Sequence, residues 1–175
     1  NAEAIAGEVE GDSGNTARAS GDGALAWAVY GDNNTATASA ENSTAWATFG
    51  DHNTATASGD GSRATLVAFG DNNTSIASGD NSYADGVGNN NTVVASGDNS
   101  YAALAGENNI VTASGHGSHA AAFGSNNVVT ARGDGGYALV NGGNNNTVTA
   151  NTDGCTVEVI GEDGVLSLDL FAQEH

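Results

Sequence analysis

A chain of 175 residues with 26 glycines, no proline and few large apolar side chains cannot fill a round hydrophobic core, which excludes an ordinary globular domain and favours a repeat architecture. Twenty-one acids against three arginines and no lysine leave a formal charge of −18, so attachment to nucleic acid or to an anionic membrane through a basic patch is excluded. No apolar run is long enough for membrane insertion as a helix, and the single Cys155 excludes an internal disulfide framework.

The opening residues, NAEAIAGEVE, have neither a starting Met nor a charged-then-apolar leader. They read as an N-terminal cap, residues 1–10, of a mature secreted or cell-surface chain, with Ile5 and Val9 closing the first coil. Residues 11–160 then divide into alternating half-repeats of about nine residues, a coil of about 18. One half begins as GDNNTATAS at 31–39 and returns as GDHNTATAS at 50–58, GNNNTVVAS at 88–96 and GNNNTVTAN at 143–151. The other lies between, as in GDGALAWAVY at 21–30 and GDNSYADGV at 79–87. Each half opens with Gly-Asp or Gly-Asn turn chemistry and closes in an alternating run that suits a strand. The absence of proline leaves every ladder hydrogen bond available. The pattern predicts an all-β fold: a parallel β-solenoid, or two-sheet β-helix, of eight to nine coils stacked at roughly 4.8 Å. Residues 161–175, GEDGVLSLDLFAQEH, continue the pattern as a final coil and C-terminal cap, with Leu166 and Leu168 inside.

Aligned by column, the first half carries an unbroken set of asparagines at its fourth position: Asn15, Asn34, Asn53, Asn73, Asn91, Asn109, Asn127 and Asn146. Stacked amides form a ladder that satisfies backbone groups at the turn. The eighth position is always alanine, and the sixth runs Ala17, Ala36, Ala55, Ser75, Val93, Val111, Val129, Val148; both point inward. The second half supplies Ala26, Ala45, Ala64, Ala84, Ala102, Ala120 and Ala138 from the other side, with Ser43, Ser62, Ser82, Ser100 and Ser118 at the turn. A thin core between two sheets follows.

Alternation sends the fifth and seventh positions outward. The fifth column reads Thr16, Thr35, Thr54, Thr74, Thr92, Ile110, Val128, Thr147, and the seventh Arg18, Thr37, Thr56, Ile76, Val94, Thr112, Thr130, Thr149. Threonine, valine and isoleucine are favoured on any exposed strand, so propensity alone accounts for part of this strip. The opposite face is mixed, however, with Trp27 and Trp46 in one column and Tyr83, Tyr101 and Tyr137 in another, and propensity alone would have roughened both. That aromatic side is expected to offer a subunit contact for a homo-oligomer or filament.

Regular Thr-x-Thr ranks on a thin β-solenoid resemble the ice-binding faces of several antifreeze proteins. NNTVVASGDNS at 90–100 is similar to the Asn- and Ser-rich repeats of grass ice-binding proteins, and bacterial ice-nucleation proteins also carry Thr-x-Thr half-repeats. The period differs from both families. The resemblance implies a non-enzymatic chain whose partner is the ice surface, with the fifteen residues Thr16, Thr35, Thr37, Thr54, Thr56, Thr74, Ile76, Thr92, Val94, Ile110, Thr112, Val128, Thr130, Thr147 and Thr149 as the binding face. A second resemblance competes: GDNSYA and GDGSRA resemble the Ser-x-Ala-x-Gly repeats of trimeric autotransporter heads, which implies a structural or adhesive surface protein. Here two extra residues separate the alanine from the next glycine, and no coiled-coil heptads follow.

Other chemistry is weaker. GDSG at 11–14 matches a serine-protease nucleophile tetrapeptide, but no histidine is placed to act as its base. His116 and His119 lack further ligand spacing for a metal. Asp32, Asp51, Asp71 and Glu107 stack on one edge and Asp22, Glu41, Asp60, Asp80, Asp98 and Asp134 on the other, which raises calcium as a relief for their repulsion. The calcium-binding β-roll nonapeptide needs a second glycine and an aspartate at its sixth position, and neither recurs. Solvated turn acids and no cofactor are therefore expected.

Overall fold

The computed structural model describes residues 1–7, 11–67, 70–161 and 165–167. The chain winds as a two-sheet parallel β-solenoid. Among the described residues there are two nine-stranded sheets, and successive strands alternate between them, so that each coil gives one strand to each sheet. The first half-repeat builds the sheet that begins at Thr16–Ala19 and runs to Val165–Ser167. The second builds the sheet from Glu3–Ala6 to Thr156–Ile160. Residues 3–6 thus already pair in register with Leu25–Val29, Ala4 lying beside Ala26. Val9 and Leu168, expected in the caps, lie outside the described residues, and Val165–Ser167 extends its sheet as backbone beside Thr147–Ala150.

Strands are short because the turn returns every nine or so residues. Thr35–Ala38, TATA, alternates half-buried and buried, and its equivalents Thr54–Ala57, Thr92–Ala95 and Thr147–Ala150 do the same. At the turn, an exposed asparagine adopts the left-handed conformation, at φ of 57° for Asn33, 60° for Asn72 and 56° for Asn90. Asparagine tolerates this region better than other side chains, which is why the third residue of GDNN or GNNN is an asparagine.

The asparagine after it turns inward and is buried. Its amide joins its own coil to the next with two bonds. Asn34 Nδ2 donates to Gly50 O at 2.7 Å while its Oδ1 accepts the N–H of Asn53 at 3.0 Å. Asn109 repeats both, at 2.8 Å to Gly124 O and 2.9 Å from Asn127 N. The ladder expected from the column is formed. The acids make a second one that their solvated appearance conceals. Asp32 N–H donates to Asp51 Oδ1 at 2.7 Å, Asp51 N–H to Asp71 Oδ1 at 2.8 Å, and Asp71 N–H to Asn89 Oδ1 at 2.9 Å. On the opposite edge Asp60, Asp80 and Asp98 continue the same arrangement. One oxygen of each such carboxylate is therefore an acceptor for the coil before it.

Between the sheets lie the small columns. Ala36, Ala55, Ser75, Val93, Val111, Val129 and Val148 are fully buried, as are Ala26, Ala45, Ala64, Ala84, Ala102, Ala120 and Ala138 opposite them. Ser75 Oγ donates to Ala84 O at 2.9 Å, so the one hydroxyl of its column is satisfied by the facing strand. Side-chain sizes are matched across coils. A Cβ on Gly86 would stand 3.1 Å from both Leu66 Cδ2 and Val93 Cγ2, so the space above that glycine already belongs to its neighbours.

Removal of one ladder amide tests its weight. Asn109→Ala leaves the buried N–H of Asn127 and the carbonyl of Gly124 without these partners, at about 1–3 kcal/mol each. Chemical denaturation should show a loss of roughly 2–6 kcal/mol, whereas Asn108→Gly at the adjacent left-handed position should change stability by less than about 1 kcal/mol.

Candidate functional site

The threonine strip is carried by the first-half sheet, and its register never shifts. Thr16, Thr35, Thr54, Thr74, Thr92, Ile110, Val128 and Thr147 are paired neighbour to neighbour across eight strands. Arg18, Thr37, Thr56, Ile76, Val94, Thr112, Thr130 and Thr149 form the second column in the same way. Most of these side chains are half-buried by one another; Arg18, Ile110 and Val128 stand further out. The fifteen residues expected to face outward fall in these two columns. Two columns of β-branched residues leave hydroxyls and methyls at roughly 4.8 Å between coils and roughly 7 Å along each strand. Apart from Arg18 no ionisable group occurs in either column. The acids stand at the turns on either side.

The opposite sheet is built differently. Its register shifts between Phe123 and Ser125, opposite the glycine pair Gly142 and Gly143 at φ of 82° and 91°. The subunit contact expected of Trp27, Trp46, Tyr83, Tyr101 and Tyr137 is overturned, because these rings form no single Trp/Tyr cluster. Trp27 and Trp46 stack on each other at 5.5 Å in one column, while Tyr83, Tyr101, His119 and Tyr137 stack at 5.3, 4.6 and 5.1 Å in the other. Identical or similar rings on in-register strands meet face to face at near the coil spacing, so their faces are spent within the chain. All five are half-buried, and the indole Nε1 atoms are covered. Two positions of this face are themselves buried, Thr65 at 3 % and Ala121 at 5 % exposed.

Arg63 bridges the two aromatic groups. Its guanidinium carbon lies 5.0 Å from the Trp46 ring centroid and 5.2 Å from that of Tyr83, and its Nε donates to Thr65 Oγ1 at 3.1 Å. Burial raises the Asp85 pKa above the ordinary carboxylate range, and the charge of Arg63 partly opposes that rise. Burial likewise lowers the pKa of His119, whose Nδ1 is covered and without a hydrogen-bond partner.

Ser13 of GDSG donates through both its N–H and its Oγ to Asp32 Oδ1, at 2.7 and 3.1 Å, as a member of the turn ladder. Among the described residues, no three His, Cys, Asp or Glu side chains gather to hold a metal ion. One feature of the edge escaped the columns. The second half-repeats at 21–30 and 40–49 are one residue longer than those at 79–87 and 97–105, and the extra residue is Tyr30 or Phe49. Both adopt φ of 60° and their rings stack at 4.7 Å. The only signal in the sequence is an aromatic residue immediately before the Gly-Asp turn.

Comparison with protein-family models, curated proteins and solved structures finds no match. The fold and the geometry of its surfaces therefore carry the functional argument.

The half-buried histidine gives a pH dependence with a definite sign. With its pKa lowered in the folded state, His119 stays neutral there while the unfolded chain takes up a proton more readily. Its stabilising contribution is complete above the ordinary value of 6.5 and is lost as pH falls through the lowered one. Melting temperatures measured between about pH 7 and pH 5 should fall more steeply for the native chain than for His119→Tyr, which restores the ring type of the column.

Proposed function

We propose that this chain is an ice-binding protein that adsorbs to ice through the threonine strip of its first-half sheet. The observation that carries the proposal is the unbroken register of both outward columns across eight strands, which holds the threonines in a two-dimensional array. A hydroxyl or a methyl group by itself gains little from ordered water, so a surface of this kind acts through number and preorganisation. β-Branched side chains restricted at χ1 on a hydrogen-bonded sheet lose little further freedom on adsorption. Charge would hold its own hydration shell, and the strip is almost free of it. Secretion into extracellular water and a non-catalytic role belong to the same proposal.

The test is thermal hysteresis and inhibition of ice recrystallisation by the purified protein. Thr54→Tyr and Thr112→Tyr, each placing a ring in the middle of the array, should abolish most of both activities. Thr156→Tyr on the other sheet, beside Tyr137, should leave them intact. Ordinary freezing behaviour of the native chain would exclude ice binding and leave a structural or adhesive solenoid as the reading.

A further inference from the structure

Asn141 stands exposed on the second-half sheet, immediately before the glycine pair at which that sheet changes register. Phe123 pairs with Asn141 and Ser125 with Asn144, while the pairing with the following strand ends at Asn141 and Ile160. Gly142 is therefore outside the register of both ladders. It holds φ of 82°, and a Cβ there would meet nothing within 4 Å, so the backbone after Asn141 is uncrowded and carries no side chain of its own.

The exposed asparagines of the turns differ in one respect: the N–H that follows each of them is already donated. After Asn33, Asn72, Asn90 and Asn108 the next N–H is held by a side-chain oxygen of the asparagine ladder, at 2.8, 3.0, 3.0 and 2.9 Å. After Asn42, Asn81 and Asn99 the N–H of Ser43, Ser82 or Ser100 closes the turn on the carbonyl three residues back, at 3.4, 3.2 and 3.1 Å. Gly61, Gly135 and Gly154, which follow Asp60, Asp134 and Asp153, each donate at 2.8 Å to a carbonyl of the coil before.

We propose that Asn141 is a modification site at which the folded chain deamidates without an enzyme. The Gly142 nitrogen attacks Asn141 Cγ. The new N–Cγ bond forms as the Cγ–Nδ2 bond breaks, and the amide hydrogen of Gly142 leaves with Nδ2 as ammonia. Water then opens the cyclic imide at either carbonyl and gives aspartate or isoaspartate. A nitrogen whose N–H is committed to a hydrogen bond must give that bond up before it can attack, and the ladder and the turns impose this cost at the other sites. The site lies on the sheet opposite the threonine strip and does not depend on ice binding.

Peptide mapping by mass spectrometry, on the intact protein held in mildly alkaline buffer and on the same chain unfolded in guanidinium chloride, tests the assignment. The folded chain should accumulate aspartate and isoaspartate at Asn141. The unfolded chain should react there and also at Asn42, Asn81 and Asn99, which precede serine, and folding should slow these three more than about tenfold. Asn141→Gln, an exposed change that cannot close the five-membered ring, should abolish the folded-state signal and leave the melting temperature unchanged. Two results would overturn the proposal: an Asn141 that keeps its amide in the folded chain, or turn asparagines that react there as fast as Asn141.

Discussion

The structure depends on a side-chain amide that reaches from each coil to the next. Beside it stand only the single bonds that turn carboxylates accept from the coil before and the stacked rings of the other sheet. The buried columns are mostly alanine, and each methyl-sized group removed from water contributes only roughly 0.8 kcal/mol. Strand ladders resist separation of the coils but tolerate slippage by a residue pair. The asparagine amide removes that freedom, because Nδ2 and Oδ1 must find a glycine carbonyl and an asparagine N–H in one position of the next coil. Register is thereby fixed at the turn, where a small core could not fix it.

Register at the turn explains the faces. On the first-half sheet, where an asparagine precedes each strand from Thr16 to Thr147, the outward columns run without a shift. The second-half sheet is entered through a serine turn. Ser43 accepts from Ala40 N–H and donates to Ala40 O, bonds that stay within one coil, so side chains tie the coils at this turn only through the single N–H that each aspartate such as Asp60, Asp80 or Asp98 accepts. A strand of that sheet can lengthen, bulge or gain a residue at its far corner, and it does so at Gly142 and Gly143 and before Gly31 and Gly50. One side is held to a repeat while the other is free to vary.

Charge follows the same division. Aspartates in the turns accept a backbone N–H from the preceding coil, so they are retained at the edges for structural reasons and their remaining oxygens face solvent. The strip between them needs no charge to be soluble. On the other sheet the ionisable Arg63 and His119 each lie between two rings, which turns an expected contact surface into an internal arrangement.

The sequence alone determined the fold class, the inward and outward columns and the asparagine ladder, because each is a periodic property and alternation in a strand converts period directly into direction. Unbroken columns such as Asn15 to Asn146 have one geometric meaning in a solenoid. The threonine strip was legible for the same reason. Tertiary structure decided what period cannot encode. Rings that share a column stack and cover their faces only once the strands are paired, so Trp27, Trp46, Tyr83, Tyr101 and Tyr137 read as an exposed surface until their spacing is known. A turn aspartate looks solvated until the N–H of the coil before it is found on its oxygen. The extra residue that two half-repeats carry is visible in the sequence, but that Tyr30 and Phe49 stack at 4.7 Å is decided only where their coils lie one on the other.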